Sequence, residues 1–416
     1  MKVLIVGGGI AGNALALQLS RGGVDVTVIE RAAAARPGGH AVDLRGPSRE
    51  VAERIGVLDR ILERRLHERG IALVDSRGRV RAEMPAEMFD GHGGVADIEI
   101  ARGDLNQILL EALPALDYRY GETVTAIDGG VATFASGGSQ EFDVIVGADG
   151  LHSAVRELVF GAGFETYLGG YMAFFTMPTP PGVATDWFAM HSIPGAINAA
   201  VRADHKPSTS KALFTLRIPQ DPTLRRDVAA QRALIHERFA GQGWVVPNML
   251  AGLDVATDFY FDELVRVDMP SWSAGRVVLV GDAGYCGSPL TGHGTAMALV
   301  GAYVLAGELL KDPEKAFATY ESTLRPLVAK ARQLPPGGLA GMTPKNRSTI
   351  VASYWINRHI TPKIAPLVTK MLSKTDSFDL PHYPDIGPGT GPRPDPSVPR
   401  AAVESSPAPR FVVHDR

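Results

Sequence analysis

Three glycines near the start of the chain have the spacing of a phosphate-binding turn. Gly7, Gly9 and Gly12 form a GxGxxG pattern that follows a short apolar run, Lys2–Val6. The first glycine permits a tight turn, the second leaves room for a pyrophosphate beside the backbone, and the third lets the next helix pack closely on the strand. The start of that helix would point unpaired N–H groups at the phosphates. The pattern predicts a dinucleotide site, and it does not by itself say which dinucleotide binds.

An acidic residue closes the second β-rich run, at residues 24–29. Glu30 stands where an acidic side chain accepts hydrogen bonds from the ribose hydroxyls of an adenosine. The two apolar runs, the glycine turn and the helix formers between them predict a strand–turn–helix–strand unit. No second GxGxxG follows another strand, so we expect a single nucleotide-binding fold.

Asp149 follows a buried-type strand at residues 142–147 and precedes Gly150. Ligands of open α/β sheets lie at the carboxyl ends of the parallel strands, so Asp149 is a candidate binding residue. An Asp-Gly pair after a strand is also a common turn. Ser153 and Arg156, which follow it, favour the functional interpretation.

The pattern of apolar residues changes along the chain. Between residues 164 and 261, short β-rich runs alternate with Pro and Gly turns, which predicts an inserted antiparallel sheet. From residue 379 the chain contains nine prolines and few apolar residues, which is typical of a flexible tail. We therefore predict an α/β fold. It comprises a discontinuous Rossmann-like domain (1–163 and 262–335), an antiparallel β-sheet substrate layer (164–261), a C-terminal helical segment (336–378) and a Pro-rich tail (379–416).

Composition limits the classes of partner. The 42 basic and 45 acidic residues give a net charge of −3, which offers no electrostatic reason for a nucleic-acid or anionic-membrane partner. Cys286 is the single cysteine, so no internal disulfide can form and the reducing cytoplasm is the expected compartment. We expect no signal peptide. The eleven histidines are scattered without metal-ligand spacing, so no metal site is predicted.

Taken together, the motifs resemble the class A flavoprotein monooxygenases of the p-hydroxybenzoate hydroxylase fold. Residues 148–156 are similar to that family's DG motif, which is linked to both FAD and NADPH contacts, and residues 277–284 are similar to its GD motif. The second similarity implies that Asp282 binds ribitol or ribose hydroxyls of FAD. The resemblance runs from residue 1 to about residue 375. It is closest to the branch that contains the tetracycline-inactivating monooxygenases and related polyketide hydroxylases, whose C-terminal helix caps the pocket.

The resemblance also implies which other residues hold FAD. Arg102 matches an arginine that reaches the pyrophosphate, and Asp43 and Arg45 fall near the flavin. No side chain is expected to act as a catalytic acid or base. Arg45 and His293 are candidate modulators of the flavin, although His293, which stands where relatives usually have glutamine, could be a neutral side chain that bonds backbone. The other cofactor-binding residues implied by this similarity are Arg31, Arg36, Val124, Pro289, Gly292 and Gly294.

The activity that the resemblance implies is oxygen insertion into a small molecule. NADPH or NADH, a transient co-substrate, would reduce FAD, and O2 would then form a C4a-hydroperoxyflavin whose distal oxygen passes to a phenolic or polycyclic, polyketide- or tetracycline-like substrate. The substrate is expected between the flavin and the antiparallel layer. Its apolar and aromatic wall, of which about half should be ordinary core, is predicted to come from Phe174, Phe175, Trp187, Met190 and Phe214.

Two other functions stay open. The same fold supports flavin-dependent halogenases and reductases, but the tryptophans form no Trp-x-Trp-x-Ile-Pro motif, which argues against halogenation. Non-catalytic sequestration of a small molecule is a different class, and the intact flavin motifs weigh against it. A monomer or weak dimer is expected, without nucleic-acid or membrane partners.

Overall fold

The computed structural model of the protein describes residues 1–35, 38–90, 93–334, 337–373 and 378–384. Arg36, a predicted cofactor-binding residue, lies outside these ranges, as does most of the predicted tail.

Within these ranges the strands are β1 (Lys2–Val6), β2 (Asp25–Glu30), β3 (Ala41–Asp43), β4 (Gly70–Val74), β5 (Val80–Pro85), β6 (Glu99–Ala101), β7 (Asp117–Tyr120), β8 (Val124–Asp128), β9 (Val131–Phe134), β10 (Ser139–Glu141), β11 (Val144–Gly147), β12 (Glu165–Pro178), β13 (Phe188–Ile193), β14 (Ile197–Ala203), β15 (Thr209–Leu216), β16 (Tyr260–Val267), β17 (Ser273–Ala274) and β18 (Val277–Leu279).

The α-helices are α1 (Ile10–Arg21), α2 (Pro47–Arg54), α3 (Leu58–Glu63), α4 (Arg102–Ala112), α5 (Ala154–Phe160), α6 (Val228–Phe239), α7 (Val246–Val255), α8 (Asp282–Tyr285), α9 (Gly294–Lys311), α10 (Ala316–Ala331), α11 (Gly338–Met342), α12 (Arg347–His359) and α13 (Thr361–Ser373). Short 3₁₀ helices span Ala86–Phe89, Pro222–Leu224 and Pro289–Thr291.

The first sheet carries the glycine turn. Its six strands lie in the order β17-β18-β11-β1-β2-β7, and all neighbours except β17 and β18 are parallel. The apolar residues of the central strand β1 are fully buried, as a parallel strand covered on both faces requires. Helix α1 leaves β1 through the turn and packs against α9. This is the Rossmann-like arrangement that the sequence predicts, and the α/β class is confirmed.

The second sheet has seven strands in the order β16-β12-β15-β14-β13-β4-β5. It is antiparallel except where β13 pairs with β4. Strands β4 and β5 come from residues 70–85, and β16 continues to Val267, so the sheet extends on both sides of the predicted layer at 164–261. The parallel pairing of β13 with β4 joins segments more than 100 residues apart, which local sequence patterns do not signal.

The two faces of this second sheet pack on different partners. The outer face buries Phe175, Ile193 and Phe214 against α6 and α7. The inner face buries Met172, Leu213 and other residues against Leu290 of the loop before α9 and Leu339 of α11. Because successive side chains of a strand alternate between the faces, each strand contributes to both layers. The inner face is the one turned toward the nucleotide-binding side of the molecule.

Helix α9 is long and apolar enough to cross a membrane by length and composition, and within the described ranges no other helix meets that test. It is 72% buried inside the protein and contacts α1, α2 and α10. A helix that is apolar on all sides belongs in a core when other helices cover it. We therefore interpret α9 as a core helix.

Candidate functional site

The glycine turn after β1 is closely packed at two positions and open at a third. Gly7 has a φ of +113°, and a Cβ atom on Gly12 would lie 1.9 Å from the carbonyl oxygen of Gly7. A Cβ on Gly9 would meet nothing closer than Nη2 of Arg102, at 3.9 Å. Gly7 and Gly12 thus lie where a side chain would clash, and the backbone at Gly9 is open, which agrees with the geometry that the spacing predicts; the contact of Gly9 with a pyrophosphate remains a prediction.

A buried polar network that the sequence did not indicate holds this turn. The Asn13 amide donates to the carbonyl of Gly8 (2.8 Å) and to Asn106 (2.9 Å), which also donates to the carbonyl of Gly8 (3.2 Å). The hydroxyl of Tyr118 donates to Asn13 Oδ1 at 3.1 Å. The only local sign of this network in the sequence is Asn13, a polar residue in an otherwise apolar stretch of α1. Buried amides need such partners, since an unsatisfied polar group is costly.

Glu30 lies at the end of β2, beside the turn. Its carboxylate accepts hydrogen bonds from the backbone N–H groups of Gly8 and Ala32, each 2.8 Å long. Each carboxylate oxygen has a further lone pair, so the predicted ribose contact is compatible with these bonds. Arg31 is exposed directly after it, and Val124 is buried in the core four residues beyond β7.

Arg102 and Asp282 are both exposed and lie close enough for their charges to interact, and we call the open region between them and the glycine turn the cleft. Arg102 begins α4, and its guanidinium reaches the turn near Gly9. Asp282 begins α8, and a Cβ on Gly294 would lie 3.9 Å from its Oδ1. Surrounding protein raises the pKa of Asp282, and the charge of Arg102 opposes that shift. The carboxylate nevertheless has access to solvent, as a side chain on the floor of a cleft does.

Asp149 is placed differently from Asp282. Its Oδ1 accepts a hydrogen bond from the hydroxyl of Ser153 (2.5 Å) and its Oδ2 accepts one from the backbone of Val155 (3.1 Å). Burial raises the pKa of Asp149, and these hydrogen bonds oppose that shift. The carboxylate therefore holds Ser153, the N-cap residue of α5, and accepts one of the free N–H groups at the start of that helix. Its predicted contacts with FAD and NADPH remain predictions.

The loop between α8 and α9 meets the segment after β3. Asp43 and Arg45 form an ion pair of 2.5 Å, and both line a cavity together with Gly292 and His293. Nδ1 of His293 lies 2.6 Å from the carbonyl oxygen of Thr291, which requires the proton on Nδ1. The ring of His293 therefore bonds backbone, as one of the two sequence-based alternatives predicted. Residues 43–45 and 292–293, predicted to lie near the flavin, are thus brought together.

Ser288 and Cys286 shape the same loop. Ser288 has a φ of +78° although it is not glycine. Its N–H donates a hydrogen bond to Sγ of Cys286 at 3.4 Å. Pro289, the next residue, is exposed. Burial raises the pKa of Cys286 well above its usual range. A buried protonated thiol is a packing group rather than a nucleophile.

The predicted substrate residues divide between the two faces of the second sheet. Phe174 and Met190 lie on the inner face, whereas Phe175 and Phe214 are core residues of the outer face. Trp187 is buried under the guanidinium of Arg69, with its ring 5.1 Å from that group. About half of this set was expected to be ordinary core, and Phe175, Phe214 and Trp187 are indeed buried. The strand register determines which face each side chain occupies, because paired residues share a face: Phe214 pairs with Ala173, and Phe174 pairs with Leu213.

Two aromatic residues that the sequence left unassigned join the inner face to the cleft. The ring of His40 stacks on Phe174 with centroids 4.7 Å apart, and Tyr260 lies 6.4 Å from the same phenylalanine. Burial, together with the positive charges of Arg102 and Arg202, lowers the pKa of His40 to about 3. Burial raises the pKa of Tyr260 well above its usual range. Both side chains are therefore uncharged at neutral pH.

A buried ion-pair cluster supports this region. Arg202 on β14 pairs with Glu68 at 2.5 Å and with Glu99 at 2.9 Å, and its guanidinium lies over the ring of Phe188 at 4.6 Å. Burial alone would lower the pKa of Arg202, but the two carboxylates raise it. The three charged residues come from separate segments, so no local pattern could predict the cluster.

Tyr260 also belongs to a chain of hydrogen bonds that leads to the surface. Its hydroxyl donates to Oδ2 of Asp262 (2.6 Å), and Nε2 of His152 donates to Oδ1 (2.9 Å). Nδ1 of His152 accepts from Arg225 at 2.9 Å. Because a guanidinium only donates, this geometry assigns the ring proton of His152 to Nε2. The residue after the Asp149 turn is thus tied to the strand that carries Tyr260.

Comparison with known proteins identifies the family of the chain. A sequence model of the family described as FAD binding domain matches residues 1–173. A flavin-dependent monooxygenase from Legionella longbeachae is 35% identical over 338 residues, which cover 79% of this chain and 86% of that protein. This chain belongs to the flavin-dependent monooxygenases.

Other relatives of this monooxygenase support the same family. The FAD-dependent monooxygenase asL6 from Sarocladium schorii is 32% identical over 93% of this chain and 99% of its own length. The crystal structure of tetracycline destructase Tet(51) has a TM-score of 0.76 at 30% identity and covers 92% of this chain and 99% of that one. Membership of the class A FAD monooxygenases, predicted from the motifs, is confirmed.

The cleft fits FAD. The backbone at Gly9 is open to a pyrophosphate, the guanidinium of Arg102 lies beside it, and Asp282 presents an accessible carboxylate where hydroxyls can donate. A helix start at Gly294 faces the same carboxylate, so its unpaired N–H groups are available to a polar ring edge.

Proposed function

We propose that this monooxygenase inserts one oxygen atom from O2 into a phenolic or polycyclic, tetracycline-like small molecule, with NADPH or NADH as electron donor. The observation that carries the proposal is the contact between His40 and Phe174. It brings the apolar inner face of the second sheet to the edge of the cleft formed by Arg102 and Asp282. The similarity to tetracycline destructase Tet(51) supports the substrate class.

We propose the following roles for the residues of the cofactor site. Arg102 and the open backbone at Gly9 hold the pyrophosphate, Glu30 and Asp282 accept hydroxyl protons in hydrogen bonds, and the start of α9 faces the ring. The other residues in the proposed cofactor set are Arg31, Asp43, Arg45, Val124, Asp149, Pro289 and Gly292. When bound, FAD supplies the redox chemistry and the activation of O2 that no side chain of this set can supply.

The substrate side of the site holds the reacting molecule and keeps water out. Phe174, Met190 and the other apolar residues of the inner face provide a flat surface on which an aromatic ring can stack. Leu339 of α11 packs on that surface from the C-terminal side, which supports a capping role for the C-terminal helical segment. A water-poor pocket matters here because water would divert reactive intermediates.

We also propose that NAD(P)H binds only transiently, because one parallel sheet with one glycine turn is found in the described part of the chain.

The single cysteine supports a reducing compartment such as the cytoplasm. We further propose the division into domains near residues 163, 261 and 335, with β4 and β5 and the whole of β16 assigned to the substrate layer because they belong to its sheet. A monomer or weak dimer is also proposed.

The test is a turnover screen of the FAD-loaded protein with NADPH and phenols, aromatic polyketides and tetracycline. A substrate should accelerate NADPH oxidation, consume one O2 per NADPH, and yield a product heavier by one oxygen atom. A reduced product without O2 uptake would instead indicate a reductase, and a tight complex without NADPH loss would indicate sequestration. Either outcome would overturn the proposal.

A further inference from the structure

The exposed apolar side chains are concentrated on α12, on α13 and at the junction between them, the last two helices of the part of the chain that the structure describes. Of fifteen large apolar residues that are exposed in the described part of the chain, six lie between residues 351 and 367. Leu367 is 73% exposed and Trp355 is 58% exposed. We call this surface the C-terminal apolar face, and its residues are Val351, Trp355, Ile356, Ile360, Ile364 and Leu367.

These six side chains are exposed even though α12 and α13 pack on the body of the protein, because other residues of the two helices make that packing. Helix α12 lies on β5 and β13, where Ile350 is buried and the hydroxyl of Tyr354 donates to the carbonyl of Val74 at 2.9 Å. Helix α13 lies on the 3₁₀ helix Ala86–Phe89 and buries Ala365. The C-terminal apolar face is therefore not needed for the packing of these helices.

The same two helices are strongly basic. Residues 347–373 contain no aspartate or glutamate, and their four fully charged residues are Arg347, Arg358, Lys363 and Lys370. The elements beneath them contribute both signs, with Arg81 and Glu83 on β5 and Glu87 in the adjacent 3₁₀ helix. The whole chain has a net charge of −3. The positive charge beside the C-terminal apolar face is thus local, and the net charge of the whole chain does not reveal it.

The charge decides between possible partners of this face. A second copy of the chain would place four basic residues opposite four basic residues, and like charges across an interface disfavour association. An anionic phospholipid surface is complementary in both respects, since its headgroups attract lysine and arginine while its outer acyl layer accepts apolar side chains. Trp355, whose ring lies 5.6 Å from that of His359, is of the residue type enriched at such interfaces.

We propose that α12 and α13 dock the protein on anionic phospholipid membranes, with the C-terminal apolar face inserted at the headgroup level. The protein would lie on the membrane and not span it, because α9 is already buried in the core. The sequence-based expectation of no membrane partner rested on the net charge of the whole chain, which does not show this local positive charge.

The test is co-sedimentation of the full-length, FAD-loaded protein with vesicles of phosphatidylcholine alone or mixed with phosphatidylglycerol. The wild type should bind the mixed vesicles and not the neutral ones, and added salt should weaken binding. The double variant Arg358→Glu/Lys363→Glu should bind on the order of tenfold or more weakly. Trp355→Ser/Leu367→Ser should also bind more weakly.

Val255→Ser is the matched control, because Val255 is 74% exposed on α7, outside this face. It should bind as the wild type does, and all variants should keep the flavin absorbance spectrum, which reports an intact fold. Equal binding to neutral and mixed vesicles, or unchanged binding by both double variants, would overturn the proposal. So would a dimer in light scattering that Trp355→Ser dissociates, since it would make a second copy the partner.

Discussion

Arg156 joins the two aspartate segments of the cofactor site: its Nη1 donates a 2.9 Å hydrogen bond to the carbonyl oxygen of Ala283, directly after Asp282. Its Nη2 donates to the carbonyl of Leu151 (2.6 Å) and pairs with Glu165 (2.5 Å). The DG and GD segments are therefore one structural unit, although 127 residues separate the two bonded groups.

Replacing this arginine should destabilise the protein. Arg156 is 5% exposed, so Arg156→Met would leave buried acceptors without a donor and lower the free energy of unfolding by about 2–4 kcal/mol. Urea denaturation measures the change. Arg238→Met, at an exposed arginine on α6, is the control and should change stability by less than about 0.5 kcal/mol. Equal effects of the two variants would contradict the role assigned to Arg156.

Two glycine substitutions should separate folding from cofactor binding. Gly9 has a φ of −83°, which alanine can adopt, and its Cβ would face the open cleft. Gly9→Ala should therefore fold with nearly unchanged stability and bind FAD on the order of tenfold or more weakly. Gly12→Ala should lose about 3 kcal/mol or more of stability, because its Cβ would overlap the carbonyl of Gly7. Thermal unfolding and flavin fluorescence titration distinguish these results, and a Gly9→Ala protein with normal FAD affinity would refute the placement of the pyrophosphate.

The two faces of the second sheet should respond differently to truncation. Phe214 is 0% exposed in the outer core, so Phe214→Ala should cost about 3–5 kcal/mol of stability. Phe174 is half-buried on the inner face, so Phe174→Ala should cost less and should mainly raise the KM for the substrate. Denaturation curves and steady-state kinetics on a substrate from the turnover screen give both quantities. The reverse pattern would place the substrate on the other side of the sheet.

His40 should make stability depend on pH. Burial lowers its folded-state pKa to about 3 from an ordinary value of 6.5, so between these values the unfolded chain binds the proton and the folded chain does not. Stability should therefore fall as the pH is lowered from 6.5 towards 3, by at most about 1.4 kcal/mol per pH unit. His40→Gln should reduce this slope, because the contribution of His40 is lost while that of the carboxylates stays, whereas His236→Gln, at an exposed histidine, should leave it unchanged. Denaturant titrations across this range measure the slopes, and identical slopes for His40→Gln and the wild type would exclude His40 as the cause.

Features that depend on neighbouring residues could be predicted from the sequence. The requirement for glycine at Gly7 and Gly12 follows from a turn and a helix that are adjacent in the chain, and the structure shows the close contacts between them. The packed state of Cys286 and the contact of His293 with backbone also belong to one loop. Motif resemblance added Arg102 and Asp282 as candidate cofactor residues, and the structure brings them close enough for their charges to interact.

What the sequence determined by itself was the local chemistry: a phosphate-binding turn, an acidic residue after β2, and the strand–helix segments that carry the two aspartates. Only the tertiary structure decided which face Phe174 and Phe214 occupy, because a two-residue alternation does not say which side of a sheet is inward until its register and packing are known. The same holds for the stack of His40 on Phe174 and for the Arg202 cluster. Their partners come from distant segments, and contacts of that kind form only when the whole core is assembled.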